Sequence, residues 1–425
     1  MATDRPAVTS AEPDSASARS RWPFGGIYYG WVLVVILGIT QTITWGILYY
    51  GFTVLLPSLE TDLGWSRGQM SGAFSVGMLL SGVCAAPVGR WLDARGPRVL
   101  MTAGSVAATI LLVAWSQVTT LIEFYVLWAL IGITMSAVLY EPAFAVVTAW
   151  FERRRGRALT AVTLMAGFAS TIFMPIESWL VELQGWRMAL LTLAGFLALT
   201  TIPAHALLLR RRPEDLGLHV DGDPAPTGHQ ATSRHPAPAS VGEALREPAF
   251  RWLALAFSLS TVANIAVGVH MVAYFQDRGF DLTLAATATG LVGAMQVLGR
   301  IVLGLVGERV PLRVVAAIVL GLQPVAILVL LVTPGVIGVF AFIALFGAAK
   351  GGLTLIRPAF VASLYGRARY ASIAGALAAF VMGATALAPI SAGVAYDLLH
   401  SYDPLFWAFV VLSAVPAGAV LLARR

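Results

Sequence analysis

Lysine is nearly missing from this chain: its 425 residues hold 28 lysines and arginines, and Lys350 is the one lysine among them. That scarcity excludes a nucleotide-driven pump of the P-loop type, which needs Gly-Lys-Ser/Thr, because Lys350 is followed by Gly351. Cysteine is equally scarce, and Cys84 alone cannot form an intrachain disulfide. The six histidines are scattered without metal-ligand spacing, so neither a metal nor another cofactor is expected. No hydrolase or redox motif appears, which argues against an enzyme. Charged residues make up only 12% of the chain, against 58% hydrophobic, a ratio that no soluble domain of this length needs.

What is present is a succession of apolar runs, each long enough to cross a hydrocarbon core of about 30 Å. The fold class expected is an all-α polytopic membrane protein with twelve transmembrane helices. The spans run over residues 28–56, 68–89, 98–116, 120–149, 157–182 and 187–209, then 251–276, 284–306, 312–332, 336–362, 370–394 and 404–423. Residues 1–26 are polar with no apolar core and are expected to form a disordered cytoplasmic tail, not a signal peptide. Residues 27–210 and 251–425 are two six-helix bundles. The linker between them, 211–250, opens on Arg210-Arg-Arg-Pro-Glu-Asp-Leu-Gly217 and continues as a flexible Pro/Ala/Ser/His-rich tract.

Arginine placement orients the chain. With the N-terminus inside, 22 of the 28 cations fall in cytoplasmic segments, three in outer loops and three within spans. Both termini are therefore expected in the cytoplasm of a multi-pass protein of the plasma (inner) membrane. The net charge of +6 follows from the same rule and implies no nucleic-acid partner.

The halves repeat. Gly89, Asp93 and Arg98 after span 2 match Gly304, Glu308 and Arg313 after span 8, and Glu141-Pro-Ala-Phe144 matches Arg357-Pro-Ala-Phe360 with the charge reversed. Parallel repeats of this kind place a substrate site near the midplane between the halves.

The loop after span 2, with Gly89, Asp93, Arg95, Gly96 and Arg98, resembles the signature loop of the major facilitator superfamily. The resemblance implies a conformational lock on the cytoplasmic side formed by Asp93, Arg95 and Arg98, with Glu308 and Arg309 in the second half. Tyr29-Gly-Trp31, Gly64-Trp-Ser-Arg67, Trp150-Phe-Glu-Arg-Arg-Arg-Gly156, Gly185-Trp-Arg187 and Arg212-Pro-Glu-Asp-Leu-Gly217 look like the monocarboxylate-porter and oxalate–formate-antiporter branch. In that branch an arginine of helix 8 binds the substrate carboxylate, which here would be Arg300. Mammalian members carry an aspartate four residues earlier, where this chain has Gln296. The lysine that oxalate–formate antiporters add in helix 11 is absent, since span 11 has no charge.

The residues themselves leave alternatives open. Arg300 reads as a carboxylate receptor or as a structural or snorkelling cation. Lys350, Thr354 and Arg357 share one helical face, and Lys350 holds an anion, releases a proton, or is neutralised by Glu141. Glu141, the one clear intramembrane acid, forms a cytoplasmic gate with Arg357 or carries the coupled proton. Asn264, Gln41, Gln296 and Tyr140 are suited to orienting a substrate, or serve interhelical hydrogen bonds. His270 is a proton relay or structural. Together they describe a monomeric secondary transporter of a small organic anion, coupled to a proton or counter-ion and embedded in the lipid bilayer. An exporter of drugs or hydrophobic metabolites and a transport-deficient sensor are the alternatives.

The gate yields a direct expectation. The distance between labels at Glu141 and Arg357 shortens when the cytoplasmic side closes and lengthens when it opens; a distance unchanged between the two states removes the gate.

Overall fold

The computed structural model describes residues 28–222, 246–306 and 310–422. The described residues are almost entirely helical, in segments that we number by crossing. They are α1 (Tyr29–Leu63), α2 (Arg67–Arg95), α3 (Pro97–Ser116), α4 (Leu121–Trp150), α7 (Pro248–Asp277), α8 (Leu282–Val306), α9 (Leu312–Val332), α10 (Gly335–Val361), α11 (Ala376–Leu399) and α12 (Asp403–Leu422). Between α4 and α7 the segment Arg155–Leu208 has 54 residues, far more than one crossing needs. It breaks at Gly185, where φ is 77°, into α5 (155–184) and α6 (186–208). Twelve crossings result.

Outward-facing side chains show what surrounds the bundle. Ile122, Leu199, Ile337 and Leu398 are between 76% and 80% exposed, and they belong in lipid. The helix ends carry their own signals. Ser66 with Gln69, and Thr120 with Glu123, form capping boxes at the starts of α2 and α4. Pro97 and Pro248 open α3 and α7 at positions where a missing N–H does no harm.

The connection between α10 and α11, expected as a loop, is itself helical, so that helix runs without interruption from Gly335 to Leu399, and two crossings also depart from the sequence expectation. α1 continues past Pro57 to Leu63 and stops at Gly64, whose φ of 68° closes the helix. It also carries a π-helical stretch, Trp45–Tyr50. α4, expected to be continuous, breaks at Leu139 (φ −84°, ψ −152°), just ahead of Pro142.

The two bundles meet along two seams. In one, α2 packs on α11 so closely that a Cβ on Gly393 would lie 2.7 Å from the Arg67 carbonyl oxygen. In the other, α5 packs on α8, where a Cβ on Gly293 would lie 2.6 Å from the Gly167 carbonyl oxygen. Hydrogen bonds fasten the second seam. The Thr171 hydroxyl donates to the Gly290 carbonyl at 2.7 Å, and the Ala294 N–H donates to Thr171 Oγ1 at 2.9 Å.

The beginning of the inter-bundle linker is not free. Residues 211–222 fold onto the arginine-rich ends of α1, α4 and α5 through two short turns, Pro213–Leu216 and Val220–Gly222. The buried Asp221 carboxylate accepts the backbone N–H groups of Glu152 (3.1 Å), Arg153 (2.8 Å) and Arg154 (3.1 Å), the residues leading into α5. It caps that helix across the chain. Burial pushes the Asp221 carboxyl up, but the three N–H donors and the Arg153 charge outweigh it and hold it below its ordinary range.

That cap sets an expectation for stability. Asp221→Ala lowers stability by about 1–2 kcal/mol at neutral pH, as a lost cap does, read as a drop in Tm of the detergent-purified protein. Because the folded carboxyl is depressed, its contribution is complete above about pH 4 and fades as pH falls through the folded value. The difference between Asp221→Ala and the parent must therefore shrink on acidification; a gap that persists at low pH assigns the loss to packing instead.

Candidate functional site

Helix register divides the space between the bundles into two chambers and a seal. The seal lies at the arginine-poor face. Arg67, the first residue of α2, is 5% exposed. Its Nη1 and Nη2 donate to the two carboxylate oxygens of Asp277, the last residue of α7, at 2.6 and 2.9 Å. Its Nε donates to Glu60 of α1 at 2.8 Å. The guanidinium carbon lies 4.0 Å from the centre of the Tyr396 ring and 5.4 Å from that of Tyr402. A planar fork met by a bidentate carboxylate and stacked on aromatic rings is a pairing that lysine could not copy. Around it, Asp397 of α11 accepts the Ser66 hydroxyl (2.6 Å) and the Gly68 N–H (3.0 Å), and Glu182 of α5 accepts the Thr283 N–H (3.1 Å). Apart from the Arg67–Glu60 contact, which lies within the first bundle, each of these joins one bundle to the other.

Beneath the seal is a small upper chamber of about 20 Å³, lined in part by Tyr49, Tyr50, Ser170, Met174, Asn264 and Lys350. Further toward the arginine-rich face a larger cavity of about 770 Å³ has Tyr140, Phe144, Thr163, Arg300, Thr354 and Arg357 in its wall. The structure is thus closed at the arginine-poor side and cavitated toward the other.

Several residues expected to bind substrate meet here. Arg300 is half-buried in the wall of the larger cavity, where its Nη1 donates to the Thr163 carbonyl of α5 at 3.1 Å and its buried Nε has no acceptor. Thr354 and Arg357 line the same cavity, one to two turns from Lys350 on the shared face. Lys350 and the buried Asn264 line the upper chamber, and Lys350 Nζ stands 5.9 Å from the centre of the Tyr50 ring. Among the described residues no carboxylate forms an ion pair with Arg300 or Lys350. Tyr140 stacks on Phe144 with ring centres 5.0 Å apart and leans on Trp45 at 5.0 Å. Gln296 is buried one turn from Arg300.

Others lie elsewhere. Gln41 is buried, and its Nε2 donates at 2.7 Å to the Val138 carbonyl that the break in α4 leaves without a helical donor. His270 is buried at the seal: its ring accepts from the Tyr402 hydroxyl through Nδ1 (2.8 Å) and donates through Nε2 to the Pro389 carbonyl (3.1 Å). Glu141 is exposed, and no ion pair joins it to Arg357 in this conformation. Of the residues expected to lock the cytoplasmic side, Arg95 lies over the Trp91 ring at 4.4 Å, and Arg98 donates through Nε to the Ala206 carbonyl. The Asp93 side chain, Glu308 and Arg309 lie outside the described residues.

Two groups escaped the sequence reading. Arg67 enters the sequence reading only within the Gly64-Trp-Ser-Arg67 phrase, and its partner Asp277 is 210 residues away. Glu177, inside α5, is a second intramembrane acid and corrects the view that Glu141 is the one clear case: it is 1% exposed, and neither carboxylate oxygen has a partner. A tally of acids within spans, parallel to that of cations, would have raised it.

Comparison with known proteins agrees with this architecture. A family model described as Major Facilitator Superfamily matches residues 31–342. The chain is 28% identical over 410 residues to monocarboxylate transporter 13 of Bos taurus, covering 95% of this chain and 89% of that one. It is 26% identical over 317 residues to a gallate transporter of Pseudomonas putida, covering 68% of each. Among solved structures, the nucleoside transporter NupG superposes with a TM-score of 0.71 at 14% identity, covering 94% of this chain and 100% of that one.

The seal predicts its own release. Breaking a buried pair by removing one partner costs about 3–5 kcal/mol, so Arg67→Gln should open the arginine-poor face. In a Cys84→Ser background with Asn264→Cys, a membrane-impermeant maleimide applied from that face labels the Arg67→Gln variant at least tenfold faster than its parent. Equal labelling rates would show that the pair does not hold the seal.

Proposed function

The chain belongs to the Major Facilitator Superfamily of membrane transporters, and from that premise we propose that it carries a small organic anion of the monocarboxylate class, coupled to protons, by alternating access. The observation that carries this reading is Arg300. A guanidinium half-buried in a cavity wall, held by one carbonyl and with no carboxylate paired to it, is a receptor for a planar anion. Cavity size agrees, since about 770 Å³ accepts a small carboxylate with its hydration and leaves an apolar wall for its carbon skeleton. Lys350 offers a second cation one chamber further on, so an anion can pass from one positive group to the next.

The orientation follows from charge. The arginine-rich face is cytoplasmic by the positive-inside rule, both termini lie there, and the conformation is inward-open in a plasma membrane. Arg357 lines the cavity and Glu141, exposed here, follows Tyr140 of its wall, and the two serve as its gate. Tyr140 and Asn264 present polar atoms along the path and orient the anion, with the buried Gln296 one turn from Arg300, whereas Gln41 and His270 act through helix packing. The working unit on this reading is a monomer.

Uptake into proteoliposomes tests the reading. Radiolabelled pyruvate and benzoate enter saturably, and a pH gradient acid on the outside speeds entry. Arg300→Ala lowers kcat/KM at least tenfold, because truncating one partner of a desolvated charge contact costs about 2–5 kcal/mol, while Arg300→Lys retains part of it. Saturable uptake that is unchanged in Arg300→Ala removes the anion-receptor assignment.

A further inference from the structure

Helix α5 carries an ionisable group that the anion path does not use. Glu177 is buried, and neither of its carboxylate oxygens is hydrogen-bonded. An ionised carboxylate in such surroundings has given up its hydration with no hydrogen bond to replace it, which strongly disfavours the charge. In this conformation Glu177 is therefore held as the neutral acid.

Helical register fixes where it points. Ser170 and Met174 line the upper chamber. Glu177 follows them by seven and three residues, so it continues the same face one turn further toward the sealed side. On the facing helix, Tyr50 lines the chamber and ends the π-helical stretch of α1, and Gly51 comes next. A Cβ on Gly51 would stand 3.2 Å from Glu177 Oε1, so the missing side chain makes the space that the carboxyl fills. Since the Tyr50 ring also faces Lys350, a continuous line runs from Lys350 through Tyr50 and Gly51 to Glu177.

The ionisable groups on the packed elements are few. They are Tyr29, Tyr49, Tyr50, Glu60 and Asp62 on α1, Arg98 on α3, Arg300 on α8, His205 on α6, and Glu182 on α5 itself, with Arg155 and Arg157 at its far, arginine-rich end and Arg187 just past the break. None of them hydrogen-bonds to Glu177. Nothing nearby stabilises the charged form, and only a proton makes the group compatible with the closed contact between α1 and α5.

We propose that Glu177 is the proton-binding site of the transport cycle, and that its protonation licenses closure of the outer side. This rests on the proton-coupled reading above and assigns its proton to a residue that no anion contact involves. Linkage supplies the mechanism. A conformation that holds Glu177 only in its neutral form is favoured by protonation, and deprotonation favours a state in which the contact between α1 and α5 loosens. α5 is also the helix that the anion receptor grips, through the bond from Arg300 to the Thr163 carbonyl. An anion that draws the guanidinium away from Thr163 thus acts on the same helix, about 21 Å from the acid by helical rise. One proton binds from the outer side with the anion and leaves to the cytoplasm after it; no bond other than O–H is made or broken.

Two measurements on the full-length protein test this. In infrared spectra of the purified, reconstituted transporter at neutral pH, Glu177→Gln loses a carboxylic-acid C=O band that Glu182→Gln retains. In proteoliposomes with radiolabelled pyruvate, the ratio of uptake under an acid-outside gradient to uptake at equal pH falls to about one in Glu177→Gln, and Glu177→Asp restores part of it. A band unchanged in Glu177→Gln, or a gradient response equal to that of the parent, overturns the assignment while leaving proton coupling intact. A parent protein that shows saturable uptake with no gradient response overturns the coupled reading, and with it the role of Glu177.

Discussion

The bidentate pair of Arg67 and Asp277 decides which way this molecule faces. The two bundles touch along two seams of small residues, α2 against α11 and α5 against α8, and such seams allow rocking. What fixes one end of the rock is a guanidinium that is 5% exposed and gripped by two carboxylates and two aromatic rings. A buried ion pair is a poor source of net stability, because desolvation consumes much of its Coulomb energy. It is a good source of discreteness. Half-opened, it would leave a charge in a dry interior, so intermediate positions are penalised and the bundles settle in one of two arrangements. His270 extends the same logic: it ties Tyr402, which also faces Arg67, to the carbonyl of Pro389 in α11. The cavity on the opposite side is the geometric consequence of closing this one.

Much of the fold was legible in the sequence because its signals are local. Hydropathy gives a span, and a landmark repeated in both halves gives the pseudo-symmetry. The shared face of Lys350, Thr354 and Arg357 was legible for the same reason, since three positions on one helix need no tertiary information to be aligned. Arg67 needed information the sequence does not carry locally, because its meaning lies in Asp277 at the end of another bundle's helix. Gln41 shows a different obstacle. Its polarity suggested substrate, yet a backbone break at Leu139 creates a carbonyl that only a nearby donor can satisfy, and Gln41 is that donor. The linker's composition points to flexibility, yet as far as residue 222 it is folded, because Asp221 binds the approach to α5 through backbone groups that no side-chain pattern reveals.

The intramembrane charges are arranged by separation. Arg300, Lys350 and Arg357 lie along one path, while the buried acid Glu177 stands on a different helix, one turn past the upper chamber toward the sealed side. Had Glu177 been placed beside Arg300, the two would have formed a salt bridge, and an incoming carboxylate would have had to displace it. Distance avoids that competition. It leaves the cation with free donors and the acid with no charge to stabilise its ionised form. On the proposed function, each site wants what the other does not: a negative ligand at one, a proton at the other. With both filled, the molecule gains no net charge and buries no unpaired one, which is the condition under which two bundles can rock past each other in a low-dielectric membrane. The connection between the sites need not be electrostatic. α5 carries both the carbonyl that holds Arg300 and the carboxyl that holds the proton, and it is the helix that hydrogen-bonds across the seam to α8. A rigid helix fastened at one end by a bond that the substrate competes for, and conditioned at the other by a proton, is enough to make each event depend on the other.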